Sequence, residues 1–451
     1  MKKWLAALLC VVLLCGMLSG CSSALNPQTP VTLTLWHVYG SNTESPLNDV
    51  IRVFNSTVGT EKGIIVNVTS VTNSNAIDEM LLSSLHNEPG TIGLPDLFTA
   101  YPRIAEKFPE GQLLDWEAYF TEDDLAAYHE DFLAEGYFGE ELLMIPIAKS
   151  SELLFINQTL FDRFAAENHL TADCLTDIEQ LMQVCNLYYD WSGGKTMFQI
   201  NDFYHYFLSN MEGLGVDFIV NGKANVDSDA FEKVFIPLAK AGIHGGLNVG
   251  DGYASSRWKT GEIIGNLGST ADILYLRDYI TYDDNSTENI EIAVLPYPNV
   301  AEAASSVVLR GGGLFAVKNE DEKKNEAAAI FAKWIAEKQH NLTFVTNAGY
   351  IPVCTEAMNE LFSDLSVVEN ERYRMLYAAI GQQQEADYTY CSVPRFNGSA
   401  DLQSTFEKLI QTTLATAHAA YKSRVDAGED PQAVMTDLLG TALASVKEEL
   451  R

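Results

Sequence analysis

A few glycine- and hydroxyl-rich stretches and three isolated cations carry the chemistry that this sequence can offer. Gly268-Ser269-Thr270 stands just before a run read as a helix. Backbone amides free at such a point, together with Ser269 and Thr270 hydroxyls, suit an oxygen of a phosphate or carboxylate. Arg310-Gly311-Gly312-Gly313 joins a guanidinium to backbone that no side chain shields, so a ligand can approach Gly312 closely. The same glycines fit a tight hairpin turn equally well. Lys149-Ser150-Ser151-Glu152 sets opposite charges around two hydroxyls, as a binding edge or as a solvated pair. Arg395 lies in the loop 392–398 ahead of a helix, and a planar guanidinium matches phosphate or carboxylate oxygens two at a time. Tyr39, Tyr101 and Trp258 offer rings on which a sugar can stack, with Glu152, Asp202 or Arg395 as planar hydrogen-bonding partners. Tyr101 serves equally well as a cover over the core.

All of this is the chemistry of holding a solute. The chain has no GxSxG, no HExxH and no phosphate-cradling P-loop. Its eight histidines are scattered, and His37, His205 and His244 read as core or surface residues. Sixty-one acidic residues present no pair that stands out as a glycosidase couple. No catalytic residue, metal or cofactor is therefore expected. The rival readings are a surface enzyme acting on glycosides or phosphoesters, and a surface adhesin, which usually shows repeats that are absent from this chain.

The net charge of −32 excludes nucleic acid as a partner, because phosphate-backbone binding needs clustered Lys and Arg. It also repels anions at long range. Hydrophobic residues at 47% and charged residues at 20% are ordinary for a globular chain able to bury a large core. Cys174, Cys185, Cys354 and Cys391 show no CxxC spacing and read as small buried residues.

The elements that must position these residues follow from hydrophobic period. Val31 to Trp36, Gly63 to Thr69 and Pro95 to Ala100 alternate as strands; Leu47, Val50, Ile51, Phe54 and then Ile77, Met80, Leu81, Leu85 recur at helical spacing between them. Such alternation implies βαβ units and a largely parallel sheet covered on both faces. Leu142 to Ile147 and Leu153 to Ile156 read as a strand leaving one sheet and a strand entering another. Thr176 to Glu179 has the pattern of a capping box opening a helix. Glu291 to Leu295, Val307 to Leu309 and Leu314 to Val317 read as strands, and about Glu322 to Gln339 as one helix. The last fifty residues give two helical faces, the second through Val434, Leu438, Leu439 and Leu443.

The amino terminus has Lys2 and Lys3, an uncharged apolar run from Leu5 to Leu18, and then Leu18-Ser19-Gly20-Cys21. The run is short for a bilayer, which needs about 20 apolar residues, and reads as a processed signal. It resembles the lipobox of bacterial lipoproteins, which implies lipidation of Cys21 and a mature chain beginning there. Residues 1–20 are then the signal peptide and 21–30 a flexible Ser/Pro/Asn/Gln-rich tether.

The ordered series of segments resembles the extracellular solute-binding proteins of ABC importers, the family that holds maltose, oligosaccharide and sn-glycerol-3-phosphate binders. The segments are TLTLWHVYG (from Thr32), VFN (Val53 to Asn55), LPDLFTAY (Leu94 to Tyr101), IPIAKSSELLFINQTLF (Ile145 to Phe161), LGSTADILYL (Leu267 to Leu276), VLPYPN (Val294 to Asn299), RGGGLFAVK (from Arg310) and NAGYIPV (Asn347 to Val353). The resemblance spans nearly the whole mature chain and departs at 91–94 and 188–197. It implies an α/β fold of two discontinuous lobes joined by a hinge, 31–148 plus 306–350 and 152–300 plus 351–451, with one solute in the cleft. It further implies that Ser269, a glycine of the 311–313 turn, Tyr350 and Arg395 are ligand residues, as in the glycerol-phosphate binders. The partners implied are a sugar or polyol phosphate and an ABC permease. The chain is expected as a monomer, lipid-anchored to the outer face of the cytoplasmic membrane. Lys149, Arg310 and Arg395 together lean the expected solute towards an anionic polyol.

Overall fold

The computed structural model describes residues 25–40 and 45–451. The signal segment and Cys21 lie outside the described residues. Eleven strands organise the body: β1 (Val31–His37), β2 (Ile64–Ser70), β3 (Leu97–Ala100), β4 (Glu152–Asn157), β5 (Phe198–Ile200), β6 (Leu247–Asn248), β7 (Gly265–Ser269), β8 (Ile292–Leu295), β9 (Ser306–Val308), β10 (Gly313–Ala316) and β11 (Thr389–Cys391). One sheet has the order β10-β3-β1-β2 and the other β6-β5-β7-β4-β8. The amphipathic segments predicted around β1 and β2 form helices Pro46–Ser56 and Ser74–Leu85, which bury Leu47, Val50, Ile51 and Phe54, and Ile77 and Leu81. The result is two α/β lobes.

The sheets are less parallel than the alternation predicts. β1 pairs in parallel with β2 and β3, but β10 returns antiparallel against β3. In the second sheet β4 runs antiparallel to both neighbours, β7 and β8, because it enters from the other lobe and not from a βα turn. The expected strand 142–147 dissolves into a short pairing at Glu141–Leu142 and a single bridge from Ile145 to Leu314.

Other expectations shift for local reasons. The residues expected as tether through 30 already fold, with Leu25 packed against the first core and the Asn26 carbonyl lying against Gly63. The capping box at Thr176 does not form. Asp177 is the cap, accepting from the Gln180 amide, and Glu179 instead accepts from the Ala301 amide (3.0 Å). The helix predicted to run to Gln339 ends at Ala336 and restarts as Lys338–Val345. Trp334 is buried, as its pattern suggests, edge-on to Phe54 and stacked on His340 at the break. The final helix, Pro431–Leu450, buries Val434, Ala442, Val446 and Leu450 most deeply, because it packs on two partners, helices Ser399–Asp426 and Asp229–His244.

The glycine run is not a hairpin. β9 pairs with β11 and lies in the second lobe's core through Val307 and Val308, whereas β10 belongs to the first sheet. The expected change of lobe at 306 thus falls after Leu309. Likewise Thr355–Ser363 packs on helix Lys338–Val345, while Glu371–Glu385 packs on β8. Three chain segments cross between the sheets, near 148–152, 309–313 and 349–353, and they ladder together. Lys149 exchanges backbone hydrogen bonds with Ile351 (3.1 and 2.6 Å), and Ser150 exchanges them with Arg310 (2.9 and 2.6 Å). Gly311 takes a φ of 101°, and a Cβ on Gly312 would collide with the Ala100 carbonyl. Buried Asn341 ties the first and third crossings together, donating to the Ile147 carbonyl (2.8 Å) and accepting from the Val353 amide (3.0 Å).

Lys149 is 0% exposed; its ammonium pairs with Glu135 and donates to the Gly311 carbonyl (3.0 Å). A buried cation stripped of its carboxylate is costly, so Glu135→Gln is expected to lower unfolding free energy by about 3 kcal/mol. Chemical denaturation checks this, and Lys149→Met added to Glu135→Gln should recover much of the loss.

Candidate functional site

Where the crossings open into the cleft, the sequence has placed charge and aromatic rings side by side. Glu152, at the start of β4, accepts from Arg310 Nη1 (2.5 Å) and lies 3.1 Å from His205 Nδ1. His205 also lies 3.4 Å from Asp202, whose other oxygen caps its helix. Burial would raise the Asp202 carboxyl, but the charges of His205 and Arg310 hold it below the usual range; burial and Asp202 together push Glu407 well up. Burial opposes the Arg310 charge, and Tyr101, Glu152, Asp202 and Asp272 around it more than compensate. Lys149 and Glu152 are thus neither solvated nor paired with each other.

Asp272 is the centre that the sequence reading missed. It sits on the 3₁₀ turn Thr270–Leu274 after β7 and accepts from Asn201 Nδ2 (2.7 Å) and, at 3.5 Å, Asn266 Nδ2. Its carboxylate lies over Gly268, where a Cβ would overlap it. Burial pushes its pKa up to about 7, with Arg310 pulling down and Glu152 pushing up. Tyr253, Tyr275 and Tyr350 are all near enough for the Asp272 charge to raise their phenols further, after burial. Tyr101 acts in the same way on Tyr39, Tyr253 and Tyr350. Tyr253 is 59% exposed and Tyr275 46% exposed, unusual for large rings beside a core. The Asn201 side-chain Oδ1 holds the Tyr253 loop by accepting from the Ala254 amide (3.1 Å). LGSTADILYL carried Asp272 and Tyr275 within the motif, but only the tertiary fold shows that they meet Tyr253 and Tyr350.

The predicted residues divide. Tyr101, Tyr350, Glu152 and Arg310 come together at the cleft, with Arg103 stacked 4.9 Å over the Tyr101 ring. Tyr39 is buried behind them, edge-on to Tyr350 and Phe344, so it backs the site and does not present a face. Ser150 and Ser151 are buried in the crossing; Ser151 donates to Gln383 (3.4 Å). The amides expected to be free at 269–271 are taken. Thr270 donates to the Ser151 carbonyl (2.9 Å), and Ser269 Oγ accepts from the Ala271 amide (3.2 Å). Gly312 is bare for the sake of the Ala100 carbonyl, which occupies the approach expected of a ligand. Trp258 is fully buried and donates to the Arg277 carbonyl (3.1 Å), so it cannot stack on a solute. Arg395 bridges the lobes: it donates to the carbonyls of Glu135 (2.9 Å) and Tyr137 (3.2 Å) and lies 4.7 Å over the Phe138 ring. His37 is core, pushed down to about 4 by burial despite its bond to Asn48, and His244 pairs with Asp190 (2.8 Å).

A separate concavity of about 340 Å³ opens between helices Ile178–Trp191 and Asp229–His244, and no cleft residue lines it. Lys233 and Glu302, both on its lining, pair at 2.7 Å. Among the described residues there is no cluster of His, Cys, Asp and Glu able to hold a metal, and no helix long and apolar enough to cross a membrane.

The Asp272 environment fixes a pH dependence. Its folded pKa is raised, so the folded state holds a proton that the unfolded chain has lost. Stability therefore falls as pH rises from about 4 to about 7 and is flat beyond. Asp272→Asn removes that penalty. Its unfolding free energy should exceed the parent's at pH 8, by at most about 4 kcal/mol, and the gap should close as pH falls towards 4, as chemical denaturation across that range checks.

No curated protein matches the chain in sequence. Solved structures share its fold. The cyclic α-maltosyl-1,6-maltose binding protein of Arthrobacter globiformis aligns at a TM-score of 0.63 and 17% identity, over 93% of this chain and 100% of its own. UgpB of Mycobacterium tuberculosis, in complex with glycerophosphocholine, aligns at 0.65 and 15%, over 93% and 100%. The ABC substrate-binding protein Lmo0181 of Listeria monocytogenes, in complex with cycloalternan, aligns at 0.65 and 12%, over 93% and 99%. These likenesses confirm two lobes about a hinge. A sequence profile described as bacterial extracellular solute-binding protein matches residues 53–365, well over half the chain, and the chain belongs to that family.

Proposed function

We propose that the chain captures a polyhydroxylated solute, a sugar or polyol, between its lobes and delivers it to an ABC permease. The observation that carries this reading is the cleft itself. Half-exposed Tyr253 lies within electrostatic reach of Asp272 and Arg310, and half-exposed Tyr275 within reach of Asp272. Sugar rings are recognised by that pairing: apolar ring faces stack on aromatics while equatorial hydroxyls meet planar donors and acceptors. The likeness to saccharide-binding proteins of Arthrobacter and Listeria supports the same class.

The lean towards a phosphate weakens. Of the three cations that suggested it, Lys149 is committed to Glu135, Arg310 to Glu152, and Arg395 to two backbone carbonyls. A phosphorylated polyol stays as the second reading on one observation, the fold shared with the glycerophosphocholine complex of UgpB. Residues about 31–148 and 309–350 move as one body in this reading, and 152–308 with 365–451 as the other. The protein acts as a monomeric carrier and not as an enzyme. Lipid on Cys21 holds it at the outer face of the cytoplasmic membrane; radiolabelled palmitate incorporation lost in Cys21→Ala checks the anchor.

A solute that binds only the folded state adds about 2.7 kcal/mol of stability at one hundred times its dissociation constant. Thermal melting against neutral oligosaccharides, amino sugars and glycerol 3-phosphate should show a rise for at least one saccharide. Tyr253→Ala should weaken that saccharide about 3- to 10-fold, the size of a lost stacking contact, without lowering the midpoint of the empty protein. A broad panel that raises no midpoint would overturn the transport reading.

A further inference from the structure

We infer that the cleft selects a saccharide bearing an ammonium group, which seats on Asp272 within the ring of Tyr101, Tyr253, Tyr275 and Tyr350; this rests on the solute-binding reading above. Most carboxylates around the crossings already have a cation. Glu152 has Arg310 and His205, Asp202 has His205, and Glu135 has Lys149. Among the described residues, no cationic side chain hydrogen-bonds Asp272; its partners are the neutral amides of Asn201 and Asn266. Arg310 is near enough for its charge to be felt, yet its Nη1 is given to Glu152.

The surroundings of Asp272 suit a cation in two further ways. The phenols of Tyr253, Tyr275 and Tyr350 lie within electrostatic reach of Asp272, and Tyr101 within reach of Tyr253 and Tyr350; aromatic rings so gathered attract a cation through their quadrupoles. Two oxygens beside it are also unsatisfied. Asn266 is fully buried with its Nδ2 turned to Asp272, and its Oδ1 has no partner; fully buried Thr270, two residues before Asp272, has an Oγ1 without one. A neutral hydroxyl brings one proton to such a place. A protonated amine brings three and a charge, and suits a carboxylate that only neutral amides now meet. At longer range the net charge of −32 draws cations towards the protein and resists anions.

The test is isothermal titration calorimetry of the full chain with chitobiose, a disaccharide carrying two free amines, and with its di-N-acetylated form, which has the same rings and no charge. Maltose and glycerol 3-phosphate complete the set. The amine form should bind at least about tenfold tighter than the acetylated form at low salt, and the ratio should shrink as ionic strength rises. Asp272→Asn should bring the ratio close to one, and Tyr275→Leu, a second variant on an exposed ring, should reduce it. A ratio near one in the parent protein, or one that survives Asp272→Asn, overturns the inference. If maltose or the acetylated disaccharide binds best, the inference falls and the saccharide-carrier reading stands. If no member of the set binds, both fall.

Discussion

The ladder where three chain segments cross between the lobes is the constraint on which the rest of the molecule depends. Four backbone hydrogen bonds link Lys149 to Ile351 and Ser150 to Arg310, so the crossings cannot shift one at a time. The buried Lys149–Glu135 pair fastens the first crossing to the first lobe and, through the Gly311 carbonyl, to the second crossing. Glu152 and Arg310, two residues beyond the ladder on one strand and within it on the other, carry the same geometry into the cleft. The site is thus built outward from the hinge. A change of angle between the lobes must alter the surroundings of Glu152 and Arg310, and a ligand that favours one arrangement shifts the population towards it.

That arrangement explains why the cations of the sequence were misleading. Lys149 and Arg310 lie on the crossings, and Arg395 reaches from the second lobe to the first. A cation taken into such a place must be compensated, and this chain supplies carboxylates or carbonyls from residues far away in sequence, Glu135 and Glu152 among them. Nothing in a linear reading pairs 135 with 149 and 395, or 152 with 310. The charge left over is therefore an acid, Asp272, and not the arginines.

The architecture was legible where period is strong and local. β1, β2, β3, β4 and β8 fall within a residue or two of the alternating runs, and the helix of Leu47 to Phe54 buries the predicted face. Failures arise where tertiary contact outbids local pattern. Glu179 has the spacing of a capping box, but its carboxylate finds the Ala301 amide across the lobe. The glycine run looks like a turn because Gly permits one; the structure uses it to let β10 pass the Ala100 carbonyl. Within the site, Tyr101, Glu152, Arg310 and Tyr350 were visible as candidates. Tyr253 and Asn201 were not, since they come from a loop and a strand end whose meeting with Asp272 exists only once the second sheet closes.

The cysteines carry a consequence for the chain's life outside the cell. Cys185, Cys354 and Cys391 are buried, Cys174 partly so, and all four are free thiols. Burial raises the pKa of each, Cys391 to about 12. Disulfide exchange proceeds through the thiolate, so in the folded chain burial shields Cys185, Cys354 and Cys391 from oxidants that cross-link exported proteins, and Cys174 less completely. Before folding they have no such protection. The hazard of mispairing is confined to the interval between export and collapse, and for Cys185 and Cys391 burial in the second lobe's core brings it to an end.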